Sequence, residues 1–392
     1  MEFYRLNSGK LPATVNISRF HGHGGTDEYH LMVCPEEYGS FETQLESVLL
    51  VYLEALKSIG LDINTALLRR FFCSDLANQA SSLAAEPFSR PHNVHQPCAV
   101  SWVGQPPAPP AKVALWAYHV SDEGRKLDKI QNSNSLMLRR GVLSHHWTTG
   151  INSLNEDTSY GQTCGIFEQY QTFLRGQGLS LADNVIRTWF FVQEIDANYQ
   201  GLVAARREFF ERHGLTKDTH FIASTGVGGM YADTAAKVTM DAYAISGVRP
   251  EQIEFLAAPE HLSPTYIYGV TFERGTSVAY RDRKHVFLSG TASIDGNGKI
   301  LYQSDVCRQL DRTIENMEAL LKRADASLKD MCVLIAYVRD PGDHTIVRRQ
   351  MRERFSDVPL EVVVAPVCRP GWLVEIEGKA VIPVCNPSLP QF

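Results

Sequence analysis

Cys368-Arg-Pro-Gly-Trp-Leu-Val-Glu-Ile-Glu-Gly-Lys-Ala-Val381 is the stretch on which the reading of this chain turns. It reads as a strand, with Val374, Ile376 and Gly378 on one face and Glu375 and Glu377 on the other, because side chains alternate along extended backbone. Paired glutamates on a strand ordinarily mark its solvated face. What argues for more is that the run of elements ending in this strand occurs three times in the chain.

In the first pass, Phe41 to Gly60 carries Leu45, Val48, Leu49, Tyr52, Leu53 and Leu56 at helical spacing and stops at a glycine. Ala66 to Ser74 follows as a strand, Asp75 to Gln79 opens a second helix, and Val113 to Val120 closes the unit. The second pass ends a helix at Gln169–Gly178, runs the strand Val185–Val192 and the helix Leu202–Arg212, turns tightly through Ser224–Gly229, and closes on Val238–Ile245. In the third, Asp305 to Lys322 is a long amphipathic helix, Val333 to Asp340 a strand, Ile346 to Phe355 the second helix, and the quoted stretch the closing strand. Hairpins lead into two of the units, with Arg139–Gly141 and Leu143–Ile151 matched to Glu273–Gly275 and Leu288–Ile294.

Superimposing Phe72, Phe191 and Tyr337 aligns the three strands, and repeats this far apart are whole modules rather than solenoid turns. A sheet with two helices on one face is an α+β module, and three of them in one chain pack about a pseudo-threefold axis with sites between modules. We place the modules at 1–125, 126–255 and 256–392. In this alignment the position of Glu375 is Ala114 in the first module and Thr239 in the second, so one slot of three holds an acid. That pattern suits a single surviving active site.

Composition narrows the rest. The chain has 392 residues, 44% hydrophobic and 21% charged, which is ordinary for a globular protein. A net charge of -6 leaves no basic footprint for nucleic acid or an anionic membrane surface. No run reaches the roughly 18 apolar residues of a membrane span, the start lacks a secretory apolar run, and eight scattered cysteines without a CxxC pair fit reduced thiols, so a cytoplasmic protein is expected. His21-Gly-His-Gly-Gly25 lacks the neighbouring ligands of a metal site and reads as a hairpin. Ser224-Thr-Gly-Val-Gly-Gly229 lacks the Lys-Ser/Thr of a phosphate-binding loop, His145-His146 reads as surface or hairpin, and Arg348, Arg349, Arg352 and Arg354 read as a solvated helix face. Neither metal nor cofactor is expected.

Ser289-Gly-Thr-Ala-Ser-Ile294, the long helix after it, Ala336-Tyr-Val-Arg-Asp340 and Leu373-Val-Glu-Ile-Glu-Gly378 together resemble the RidA/YjgF superfamily. Its small members assemble as trimers and hydrolyse enamine and imine intermediates, so the resemblance implies three tandem RidA/YjgF-like, chorismate-mutase-like modules forming a single-chain pseudo-trimer. The arginine with which those deaminases hold a substrate carboxylate would fall near Pro359, where none stands. The second and third modules are more similar to the chorismatase branch, through Arg187-Thr-Trp189, the helix with Arg206, Ala223-Ser-Thr-Gly-Val-Gly228, Phe272-Glu-Arg-Gly275, Ser289–Ile294 and the pairing of Cys368 with Glu375. Two departures are Ala205-Arg206 where the branch has Gly-Arg, and the loop Asp295-Gly-Asn-Gly298.

That resemblance implies an enzyme acting on chorismate, a dianionic enol ether, with release of pyruvate and a hydroxybenzoate or dihydroxycyclohexadienoate. Glu375 is then the general acid, its proton retained by burial and by Glu377 beside it. Arg274 and Arg206 bind the carboxylates, Cys368 shapes the wall that selects the product, and Ser289, Gly290 and Thr291 supply hydroxyl and backbone donors. The alternatives are an enamine/imine deaminase in which Glu375 activates water, and a non-catalytic binder of small ligands. A monomeric pseudo-trimer, with further association open, completes the expectation.

Overall fold

A computed structural model describes residues 1–6, 12–91, 93 and 95–392. Three six-stranded sheets carry the chain. The first contains β1 (Glu2–Leu6), β2 (Ala13–Phe20), β3 (Thr26–Pro35), β4 (Ala66–Cys73), β5 (Ala99–Gly104) and β6 (Val113–Asp122). The second contains β7 (Asp128–Asn132), β8 (Ser135–Arg140), β9 (Leu143–Ile151), β10 (Val185–Val192), β11 (Ala223–Gly228) and β12 (Val238–Ser246). The third contains β13 (Ile253–Phe255), β14 (Gly275–Ala279), β15 (Arg283–Ala292), β16 (Met331–Val338), β17 (Leu360–Val364) and β18 (Val374–Pro383). Every sheet has the same order: three strands in a meander, then the sixth, the fourth and the fifth. The fifth strand is parallel to the fourth in each case and forms an edge.

The helices explain that parallel pair, since a crossover must carry the chain back to the same end of the sheet. Helices α1 (Phe41–Ser58), α3 (Ser159–Gly176) and α6 (Val306–Arg323) precede the fourth strands. Helices α2 (Leu76–Ala85), α5 (Ile195–Arg212) and α7 (His344–Arg354) make the crossovers, and one-turn α4 (Leu181–Asn184) lies in the second module. Helices α1, α3 and α6 each start on a capping side chain that accepts a backbone N–H, that of Ser40, Thr158 and Asp305 respectively. The fold is thus α+β, a single-chain pseudo-trimer of three alike modules.

Alternation along the strands divides two kinds of core. In β4, Phe71 and Cys73 pack under α1, whereas Leu68 and Phe72 join a core shared by all three sheets with Trp116, Trp147, Trp189, Tyr243 and Phe287. The registers bear out the alignment of the fourth strands: Phe72 faces Ala114, Phe191 faces Thr239 and Tyr337 faces Glu375. The hairpin match is out of register by five residues. Thr148 and Leu288 hold equivalent places opposite Ala242 and Gly378, so Thr149-Gly150 corresponds to Ser289-Gly290.

Three further expectations change. The closing strand begins at Val374, and Cys368 to Leu373 form the loop before it. Ser224 to Gly228 lie in edge strand β11 rather than a tight turn, because the β10–α5 crossover delivers them parallel to β10. His145 and His146 are buried, and His145 shares an equivalent axial position with Glu28 and His285. There the Glu28 carboxylate accepts from Arg283 Nη1 (2.8 Å), Tyr118 Oη (2.6 Å) and Lys379 Nζ (2.9 Å), and lies 2.7 Å from His285 Nε2.

The edge strands join the modules into a closed ring. The Thr149 hydroxyl donates to Val100 O (2.8 Å) between the first and second, Ser224 N–H to Ser289 Oγ (2.9 Å) between the second and third, and Val364 N–H to Pro106 O (2.8 Å) between the third and first.

Candidate active site

Between the second and third modules the ring opens into a pocket lined by Tyr199, Arg206, Ser224, Gly226, Tyr268, Phe272, Arg274, Gly290, Cys368, Arg369, Trp372 and Glu375. Helix α5 and strand β11 supply one wall. Strands β15 and β18, with the segments 256–274 and 368–373, supply the other.

Glu375 is 5% exposed, and among the described residues its carboxyl accepts no hydrogen bond from the protein. Burial, then the charge of Glu377, pushes its pKa up to about 8, against opposing pulls from Arg274 and Arg187. A carboxylic acid in this setting keeps its proton at neutral pH and can donate it. The backbone at Gly290 runs so close that a Cβ there would stand 1.8 Å from Glu375 Oε1. Only glycine leaves room for the acid.

Arg206 is 2% exposed, and its Nε and Nη2 have no hydrogen-bond partner. Phe190 and Phe272 lie under the guanidinium at 5.8 and 5.9 Å, and burial lowers its pKa. Arg274 spends the same edge differently: Nε (3.3 Å) and Nη2 (2.8 Å) both donate to Ser263 O, and the group stacks on Tyr268 and Phe272, each at 5.4 Å. Cys368 sits near Tyr199 with its thiol pushed up to about 12 by burial and then by Glu375, so it is a neutral wall group.

Four candidates lie differently from the expectation. Ser289 is buried outside the pocket, its hydroxyl donating to Glu273 O (2.6 Å) while accepting from Ser224 N–H. Thr291 turns its hydroxyl to Ser289 O (2.9 Å), and Gly290 N–H is already given to Thr225 Oγ1 (2.9 Å). Glu377 faces the axis. Its Oε1 accepts from Trp189 Nε1 (2.9 Å) and Tyr337 Oη (2.9 Å), and its Oε2 from Arg187 Nη2 (2.6 Å) and the Thr225 hydroxyl. With all its capacity used, Glu377 has no free lone pair for a ligand, and its effect on the pocket is the field it exerts on Glu375. The strand alternation held, but a shared face did not mean a shared cavity, because β11 wedges between the two carboxyls.

Tyr199, Tyr268, Phe272, Arg369 and Trp372 escaped the sequence reading. Tyr199 lies seven residues before Arg206 on α5, two turns along one helix face, which is a usable signal. Arg369 and Trp372 follow Cys368 in a loop whose course no periodicity announces.

Residues 275–382 match the family described as Endoribonuclease L-PSP. A RutC family protein of Pyrococcus abyssi is 30% identical over 105 residues, 27% of this chain and 83% of the relative. The chain belongs to the RutC family. Another RutC relative, the 3-aminoacrylate deaminase of Acinetobacter baylyi, is 27% identical over 97 residues, 24% of this chain and 77% of its own. Among solved structures, a chorismatase crystal structure superimposes with a TM-score of 0.61 at 19% identity, covering 81% of this chain and 93% of its own. That likeness establishes the shared three-module fold.

The RutC relationship bears on the arginine sought near Pro359. That position borders the seam between the third and first modules, where Pro107 bridges to Val363, and does not face Glu375. The equivalent stretch of the second module, at Ala223 and Ser224 by the registers of β11 and β17, is the one in the pocket, and it too lacks arginine.

Proposed function

We propose that the chain is a chorismatase-like enzyme that cleaves the enolpyruvyl ether of chorismate, a small anionic substrate, to pyruvate and a hydroxybenzoate or dihydroxycyclohexadienoate. The observation that carries the reading is one buried, proton-holding carboxyl, Glu375, in the same pocket as an unpaired buried guanidinium, Arg206. The three-module fold shared with a chorismatase supports it.

The chemistry follows from the groups. Glu375 delivers its proton to the methylene carbon of the enol ether, the π pair forms the new C–H bond, and an oxocarbenium remains. Water adds to the ether-bearing carbon of that cation, a proton passes from the water to the Glu375 carboxylate, and collapse of the hemiketal frees pyruvate and the ring alcohol. When the neighbouring ring hydroxyl captures the cation instead, it gives up its proton and closes a cyclic ketal. Breaking one ring C–O bond with loss of the proton on the adjacent ring carbon aromatises the ring, and the hemiketal left behind collapses to a hydroxybenzoate and pyruvate. Cys368, small and uncharged, sets the space at that branch point. Arg206 binds a substrate carboxylate through its paired donors and Arg274 adds a contact. The acid belongs to the third module and Arg206 to the second, so both are needed for one site.

The kinship with RutC proteins supports a second reading, an enamine or imine deaminase in which Glu375 activates water. One experiment separates them: incubate the protein and Glu375→Gln with chorismate, follow pyruvate by a coupled assay and aromatic product by chromatography. Pyruvate from wild type alone is expected. No turnover by either protein refutes the chorismatase reading, and an enamine substrate then tests the deaminase.

A further inference from the structure

Three guanidinium groups converge on this pocket, and they are not equivalent. The Nε/Nη2 edge of arginine is the side that grips both oxygens of one carboxylate. In Arg206 that edge is buried and empty-handed. In Arg274 the same edge is committed to Ser263 O, which leaves for the pocket only its far end, Nη1 and the second hydrogen of Nη2. Arg206 therefore offers its side-on fork to one carboxylate, whereas Arg274, pinned to Ser263 O, offers only its end-on donors.

Arg369 supplies what is missing. Its guanidinium carbon lies over the rings of Tyr268, 4.3 Å from the centroid, and Trp372, 4.9 Å, and among the described residues its side chain makes no hydrogen bond to protein. Contact with two rings holds the group in place while leaving its donors free for an anion. It lies in the loop that also carries Cys368, and its Tyr268 partner also stacks with Arg274. Glu375, neutral when protonated, does not balance the three cations.

Resting on the proposed function, we propose that Arg369 is a substrate-binding and specificity-determining residue that grips a second anionic group, with Arg206 gripping the first, so the pocket selects dianions built on a compact ring over monoanions.

The test uses a ligand that does not react. Isothermal titration of wild type with isophthalate, a flat diacid, and with benzoate, its monoacid counterpart, is expected to favour the diacid. Arg369→Gln should weaken isophthalate about tenfold or more while changing benzoate less than about threefold, and Arg369→Lys should recover part of the loss, since it restores charge without the fork. Arg206→Gln should weaken both acids. Arg369 is partly exposed, so thermal melts of its variants should match wild type. Equal loss of both acids in Arg369→Gln, or no diacid preference in wild type, overturns the proposal. Diacid selectivity that depends on Arg369 in a protein that leaves chorismate intact would retain the clamp and discard the reaction.

Discussion

Replacing Glu375 by glutamine should make the protein more stable, and increasingly so as pH rises. The folded state holds this carboxyl at a pKa of about 8, against an ordinary value of 4.5. A group whose folded pKa is raised favours the native state below its unfolded pKa, and that contribution is lost as pH climbs through the folded value. Linkage across these two values gives a cost to the native state of about 1 kcal/mol at pH 5, about 3 kcal/mol at pH 7 and about 5 kcal/mol at pH 9. Glutamine has the same shape and no proton to lose, so it is spared that cost. Denaturant unfolding of both proteins at these three pH values should show the glutamine variant gaining about 4 kcal/mol on wild type between pH 5 and pH 9. Parallel stability profiles would refute the argument, since they would mean that Glu375 is ionised in the fold over the whole range.

Other outcomes follow from the same geometry. The rate on chorismate should fall as pH rises through about 8, because the acid form of Glu375 does the work, and a pH–rate profile of kcat/KM checks it. Glu377→Gln should shift that limb to lower pH by removing the neighbouring charge, and should destabilise the fold by about 3 kcal/mol by stranding Arg187, as denaturation would show. Gly290→Ala should cut kcat at least about tenfold through displacement of the Glu375 carboxyl, with circular dichroism unchanged. Arg206→Met should raise the melting temperature, since an unpaired buried charge is removed at a gain of about 1 to 3 kcal/mol, while abolishing turnover.

The modules were legible because their period-2 strands and 3.6-period helices repeat in one order, and the Phe72, Phe191 and Tyr337 alignment needed no tertiary information. The edge strands were not. Ser224-Thr-Gly-Val-Gly has the composition of a turn, and only its docking against β15 of the next module makes it a strand. The site divides the same way. Glu375, Arg206, Arg274 and Cys368 were found through their pattern, whereas the burial of Glu377 among four donors depends on Arg187, Trp189 and Thr225, which come from another module. Local sequence carries no signal for such a meeting. Arg369 was hidden for a related reason, because stacking on Tyr268 couples loops a hundred residues apart.

The positions equivalent to Glu377 are Trp116 and Asp241, and the latter is held by Arg70 Nη2 (2.9 Å) and Ser101 Oγ (2.6 Å) across the first seam. Three identical subunits could not have made these choices, since any change at one boundary would have been copied to the other two. Covalent tandem repetition freed each boundary to drift separately, and two of them turned into glue. A ligand titration should accordingly saturate at one equivalent per polypeptide, and the catalytic unit that protein engineers would have to transplant is the whole ring, not the module that bears the acid.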